Sequence, residues 1–379
     1  MKELTSRERL LRVFNGKIPD RIPISLYEFD GYYDSWIHNY PEYVEILEYA
    51  RGKMDKMSPW YPESDRPVLF YGEIDRENIE SLSWKEDKSV YTRKIIKAPR
   101  GELSSTTRQD EGVHTSWTIE HLCKDEADAE KVLSLEYIPW KPSTDSFFKK
   151  VDEIGESGIV IGDIPDALCL TVELFGFYEF IMLYTDNPAI IFKLIEFFQE
   201  RLYNYLSHIL SNGVVTAYRI VGPEYATPPY LSPEDFKKLV AGYDKEIIDL
   251  LHKYGGKARL HSHGKVKRVL ETISEMSIDA IDPLEPPPDG DITLKEARDI
   301  LGDRVVMIGN IEERLFEVGT KEDIESAVKT AIEEGASGGP FILCPTAMPL
   351  TTPLDKMIQE NIIYYIDCGI KYGKEKREG

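Results

Sequence analysis

The sequence predicts an α/β fold, a single (β/α)8 TIM barrel over residues 1–379 with an antiparallel β insertion in its early part. Three observations carry this. After about residue 145, short apolar runs of strand length alternate with helical stretches. No Gly-x-Gly-x-x-Gly turn occurs anywhere in the chain, which argues against a dinucleotide-binding sheet. Polar side chains recur where the strands end, the place where barrel enzymes build their sites.

In chain order, Thr5 or Ser6 caps a helix at 5–15 with Leu10, Leu11 and Phe14 on one face, and Asn15-Gly16 stops it. Prolines between Pro19 and Pro23 lead into a first strand at 24–29. Residues 30–75 are rich in Tyr, Trp and Pro and read as long loops with one helix near 41–54. From about 81 to 120 the pattern becomes period two, with turns at Pro99-Arg100-Gly101 and Glu111-Gly112, which is the inserted meander. A helix at 124–135 and a connector at Pro139 and Pro142 follow. Strand candidates then lie at 158–162, 214–221, 257–260, 280–281, 304–308 and 340–343. Helices such as 187–211, 233–254, 321–335 and 354–371 separate them, the second opened by Ser232-Pro233 as cap and first residue. The run at 68–71 is the candidate for the missing eighth strand.

The chain carries 46 basic against 67 acidic residues, a net charge of −21. Such a surface repels nucleic-acid phosphates and anionic membranes, so neither is an expected partner. Four scattered cysteines fit no disulfide framework and point to a reducing cytoplasm. The charged N-terminus has no signal-peptide core, and no run reaches the ~20 apolar residues of a membrane span. The expected setting is cytoplasmic, and a homodimer is compatible with the sequence.

His261-Ser-His263-Gly264 ends the run Gly-Gly-Lys-Ala-Arg-Leu. Two histidines at i and i+2 on one strand face can aim at one small object, and imidazole is a common metal ligand. Cys344 ends the later apolar run at 340–343. If both strands share one barrel, His261, His263 and Cys344 can close on zinc, with Glu224 as a fourth ligand or an exchangeable, catalytic one. The competing reading is a histidine pair satisfying helix or core carbonyls, beside a small buried cysteine. Other polar groups at strand ends are Tyr27, Glu28, Asp30, Asp163, Asp166, Tyr225, Asp282 and Asn310. Tyr225 and Met348, next to proposed ligands, are expected to bind substrate with Tyr27, and Asn310 to hydrogen-bond substrate or cofactor. Tyr32, Tyr33, Trp36, Trp60, Tyr61, Phe70, Tyr71 and Trp117 either cover the mouth or pack the insertion against the barrel.

Several stretches resemble the uroporphyrinogen decarboxylase superfamily. They are Thr5-Ser-Arg-Glu-Arg, Gly16-Lys-Ile-Pro-Asp-Arg-Ile-Pro23, Gly222-Pro-Glu-Tyr225, Leu231-Ser-Pro-Glu-Asp-Phe236, His252-Lys-Tyr-Gly-Gly-Lys257, His261-Ser-His-Gly264 and Thr351-Thr-Pro-Leu354. The resemblance implies a (β/α)8 barrel and one of two chemistries. The decarboxylase branch has an arginine-rich segment after the first strand, whereas here that place reads Leu26-Tyr-Glu-Phe-Asp-Gly-Tyr-Tyr-Asp34. Carboxylates facing a polyanionic tetrapyrrole oppose its binding.

The other branch comprises zinc-dependent, cobamide-linked methyltransferases with His-x-Cys and a later Cys as ligands. His261 matches that pattern, His263 replaces its first cysteine, and Cys344 lies a residue or two before its second, near Thr346. Two imidazoles and one thiolate leave zinc a stronger Lewis acid than two thiolates do, suited to polarising an ether oxygen. The resemblance therefore implies an O-demethylase component: a small-molecule methyl ether, a methoxylated aromatic, gives its methyl group to a Co(I) corrinoid. No Asp-x-His-x-x-Gly motif is present, so the corrinoid is expected on a partner protein. A coenzyme M methyltransferase is the alternative, and a decarboxylase the less favoured one.

Overall fold

The computed structural model of the protein describes residues 3–27, 29, 35–349 and 351–378. Its centre is a curled, all-parallel seven-stranded sheet whose spatial order follows the chain, consistent with a TIM barrel. The strands are β1 (Lys56–Trp60), β2 (Gly158–Pro165), β3 (Ala217–Val221), β4 (Lys257–Ser262), β5 (Ala280–Pro283), β6 (Val306–Ile311) and β7 (Phe341–Pro345). Both sheet edges reach one short extended segment. Ser25 N–H donates to Leu343 O at 2.8 Å, Leu343 N–H to Pro23 O at 2.9 Å, and Asp55 N–H to Ile24 O at 2.7 Å. The buried Tyr365 hydroxyl bridges this seam, donating toward Ser25 O at 2.9 Å and Leu343 O at 3.2 Å.

The seam is also held by charge. Asp55, fully buried, accepts from Arg9 at 2.6 Å, from Arg21 at 2.7 Å and from Ile24 N–H at 2.9 Å. Arg9 comes from helix Ser6–Phe14, opened by a Thr5/Glu8 capping box. That helix puts Leu10, Val13 and Phe14 into an apolar cluster inside the sheet with Ile159, Ile161, Ala217, Val306 and Ile342. The i, i+3, i+4 spacing selects Val13, and Leu11 points to solvent rather than joining the buried face. A larger core fills the space between the sheet and the surrounding helices, among them Pro188–Ser211 and Lys321–Gly335.

Two strand expectations change. Val68–Leu69 is no part of the parallel sheet; it pairs antiparallel with Gly72–Glu73, which pairs in turn with Ile138–Pro139. Phe70 and Tyr71, at φ 51° and 59°, form the turn between the first two. The strand before β2 is instead Lys56–Trp60, hidden from sequence patterning by Lys56, Ser58 and Pro59. The segment at 24–29 contributes a single bridge at Ile24. Between β1 and β2 in the chain stands a four-stranded antiparallel sheet: Ile79–Glu86, Ser89–Ala98, Gly101–Asp110 and Trp117–Glu120. Buried Ile96 and Leu103 anchor its base, and Val113 bridges Thr351 at its far loop. Among the described residues no single helix is long and apolar enough to cross a membrane.

Candidate functional site

A polar ring forms where the strands end. Asp163 on β2 receives a fork from Arg219 on β3, Nε at 3.0 Å and Nη2 at 2.8 Å, and the Tyr61 hydroxyl also donates to Asp163. Arg219 reaches the Tyr27 hydroxyl at 2.8 Å, and that hydroxyl lies 3.3 Å from His261 Nε2. His261 Nδ1 sits 2.8 Å from Asp282 Oδ2. Arg259 donates to the same carboxylate through two bonds, 2.6 and 2.7 Å. Burial alone would raise the Asp282 carboxyl, but Arg259 and His261 hold it far below the usual carboxylate range. An ionised Asp282 accepts, so His261 carries its proton on Nδ1 and offers the Nε2 lone pair to Tyr27.

His263, two residues on, is braced alike: Nδ1 lies 2.8 Å from Glu285 Oε1, whose other oxygen accepts from Gly264 N–H at 2.6 Å. Burial pulls the His263 imidazole down, yet the Glu285 hydrogen bond and charge lift it above its ordinary value. The two imidazole rings stand nearly perpendicular, 87° apart, with centroids 4.6 Å apart. Both are therefore held through Nδ1 by a carboxylate, as metal-ligating histidines are. Neither caps a helix or satisfies a carbonyl in the contacts described here.

Cys344 is buried and lines one cavity with Tyr27, Met57, Asp163, Arg219 and Arg259. Glu224, on the turn Pro223–Ala226 after β3, accepts from Gly222 N–H at 3.1 Å. Among the described residues, no three His, Cys, Asp or Glu side chains group closely enough to hold a metal ion. The donor chemistry thus suits zinc at the two imidazoles, while Cys344 and Glu224 do not close a ligand set with them in this conformation. Behind Glu224 lie two buried acids, Asp166 and Asp244, each with an oxygen that has no partner. Burial raises both carboxyls, and the charge of Asp244 adds to the shift of Asp166.

The remaining expected residues are spread more widely. Asn310 gives its amide to Leu284 O at 3.1 Å, so it props the turn after β5. Tyr225 is half-buried against Phe177, and Met348 packs on the outer core. Trp60, Phe70 and Tyr71 pack on Phe147, Phe198 and Tyr205, and Trp36 stacks on His114. Trp117 is exposed on the antiparallel sheet. Glu28, Asp30, Tyr32 and Tyr33 lie outside the described residues. The sequence reading missed Arg219, Arg259 and Glu285. An arginine in the middle of an apolar parallel strand has to be paired inside, and that signal was present in both runs.

Residues 150–359, just over half of the chain, match the family described as Uroporphyrinogen decarboxylase (URO-D). The uroporphyrinogen decarboxylase of Geobacter metallireducens is 29% identical over 140 residues, 36% of this chain and 37% of that protein. That of Hordeum vulgare is 23% identical over 189 residues, 49% of this chain and 53% of that protein. The chain thus spans between about a third and a half of the length of these relatives. A methyltransferase from Methanosarcina mazei shares the fold at a TM-score of 0.62 and 13% identity, over 98% of this chain and 99% of that one. Together with the strand-end site, the matched region identifies this chain as a member of the uroporphyrinogen decarboxylase (URO-D) family.

Proposed function

We propose that the protein is a methyltransferase of this family, moving a methyl group from a methyl ether, a methoxylated aromatic, to the Co(I) corrinoid of a partner protein. The observation that carries the reading is the pair of imidazoles at the strand end, each braced through Nδ1 by a buried or half-buried carboxylate. His261 and His263 are the proposed zinc ligands, with Cys344 and Glu224 as the candidates for the remaining positions. When bound, zinc supplies a Lewis acid for the ether oxygen that becomes the leaving group.

The chain's own residues do the rest by positioning. Asp282 and Glu285 accept from Nδ1 of the two rings, which leaves the lone pair of each neutral ring on Nε2. Tyr27 occupies His261 Nε2 and is itself tethered by Arg219, so anything binding that nitrogen turns Tyr27 aside. Held by Arg219, the Tyr27 hydroxyl would be the group to donate to a leaving oxygen bound beside His261. Met57 and Ile161 line the same small cavity with apolar surface.

The sequence relatives favour a second reading, decarboxylation of a tetrapyrrole. The ring argues against it: Arg219 and Arg259, the cations lining the cavity, are each already neutralised by an aspartate. A many-carboxylate substrate would find no unpaired cation there. The test is zinc content by inductively coupled plasma mass spectrometry on wild type and His263→Ala, followed by a methoxyaromatic assay with Co(I) corrinoid. One zinc per chain, lost in the variant, together with demethylation is expected. A metal-free wild type that decarboxylates uroporphyrinogen would sink the reading.

A further inference from the structure

Among the described residues the buried arginines are Arg9, Arg21, Arg201, Arg219, Arg259 and Arg298. Arg9 and Arg21 meet Asp55, Arg219 meets Asp163, and Arg259 meets Asp282. Arg298 gives four bonds of 2.8–3.0 Å to the carbonyls of Gly302, Val305, Gly335 and Pro340. Arg201 differs. It is 3% exposed, yet among the described residues it makes no ion pair and one long bond, Nη2 to Leu135 O at 3.4 Å. A guanidinium stays charged in a protein, and a buried charge needs a counter-charge.

The surroundings hold this cation in place without neutralising it. Its Cζ lies 3.9 Å from the Phe197 ring centroid and 4.5 Å from that of Tyr137. Aromatic faces fix the plane of the guanidinium and leave its N–H groups to be met edge-on. Gly72 makes room at that edge, since a Cβ there would stand 2.8 Å from Nη1. Burial pulls the guanidinium down to about 10, and the nearby Tyr137 and Glu200 offset only part of that. Arg201 lines a cavity of about 100 Å³ with Leu69, Ile74, Leu135, Asn78 and Lys97. Helix Pro188–Ser211, the hairpin of Val68–Leu69 with Gly72–Glu73, and the inserted strand Ser89–Ala98 meet there. This cavity shares no residue with the one at the strand-end ring.

We propose that this cavity is a binding site for a small aliphatic monocarboxylate, its carboxylate on Arg201 and its alkyl end against Leu69, Ile74 and Leu135. The planar N–H fork matches the two oxygens of a carboxylate. The space equals the share of roughly three waters at ~30 Å³ each, the scale of acetate or propionate. The rim sets the charge. Lys97 is taken by Glu80 and Glu73 by Arg66, while Asp75 and Glu136 line the cavity at its exposed end. A monoanion is therefore matched by Arg201, and a dianion is opposed by the rim carboxylates. Bound there, the carboxylate ties the inserted sheet and the hairpin to the barrel's helical layer.

The experiment is isothermal titration calorimetry of the full chain with sodium acetate and with sodium sulfate, in chloride buffer at constant ionic strength. It compares wild type with Arg201→Met and Gly72→Ala, and circular dichroism checks the fold of each. Wild type should bind acetate saturably, with a dissociation constant of about 1 mM, and sulfate about tenfold more weakly or worse. Both variants should lose about tenfold or more in acetate affinity, the first by removing the cation and the second by crowding Nη1. Where Arg201→Met fails to fold, Gly72→Ala, which keeps the charge, decides the same point. Wild type without saturable acetate binding overturns the proposal, as do folded variants that bind acetate undiminished. Sulfate bound more tightly than acetate overturns it as well.

Discussion

Replacing Asp282 by Asn tests the centre of the site. Asp282 is 1% exposed, and its carboxylate takes two bonds from Arg259 and one from His261. Asn keeps the shape but removes the charge, which leaves the Arg259 guanidinium buried without a counter-ion; breaking such a pair costs about 3–5 kcal/mol. For a chain of this size roughly 1.3 °C of melting temperature goes with each kcal/mol, so a drop of about 4–6 °C is expected at pH 7. The pH dependence has a definite sign. The folded carboxyl is depressed, so its stabilisation is present above the unfolded value of about 3.9 and is lost as pH falls below it. The wild-type advantage over Asp282→Asn should therefore shrink on acidification and persist through neutrality. Zinc affinity should fall about 10–100-fold, because His261 loses the group that fixes its tautomer. Differential scanning fluorimetry between pH 2 and 8, with metal titration at neutral pH alongside, reads both effects. A shift under 1 °C at pH 7 would falsify the claim that this carboxylate is the counter-charge of the ring.

Other outcomes follow from the same structure. Gly222 has φ 130°, and a Cβ there would meet Asp166 Oδ1 at 2.3 Å; Gly222→Ala should cost about 2 kcal/mol or more in urea unfolding and misplace Glu224. Asp244→Asn should be neutral at acid pH and stabilising at pH 8–9. Its folded carboxyl is raised, so the wild type loses stability as pH rises through that value and the amide does not; thermal melts at both ends of the range decide it. The His263–Glu285 pair is strongest below the unfolded histidine value and fades as pH rises through the raised folded one. With His263 38% exposed, Glu285→Gln should cost no more than about 1 kcal/mol in the same melts while lowering zinc occupancy.

The strand–helix rhythm of the C-terminal half was legible because parallel strands buried on both faces read as continuous apolar runs. That logic located β2 to β7 to within a few residues, and brought His261 and His263 to a strand end. It failed where burial is achieved without an apolar run. Lys56–Trp60 sits at the sheet edge and includes a proline, and Ile24 joins through single hydrogen bonds. The histidines were visible in sequence, but Glu285, which braces His263 from 22 positions away, had no local signature. Asn310 stands at a strand end as the sequence indicated, while its amide bond to the Leu284 carbonyl on the neighbouring turn had no local signature. A ring of ion pairs between adjacent strands becomes readable only once the register sets Arg219 beside Asp163 and His261 beside Asp282.

The seam has a temporal meaning for the cell. Ser25 and Tyr365, which it joins, stand 340 positions apart in the chain. A ribosome adding about 5–20 residues per second needs roughly 17–70 s to make the second after the first. Throughout that interval Arg9, Arg21 and Asp55 can assemble locally, while the edge at Ile24 waits without the strand it will bond. Closing the sheet thus waits for the synthesis of Phe341–Pro345 rather than for the local speed of folding. A nascent chain stalled before Phe341 would display that edge to chaperones or to other copies.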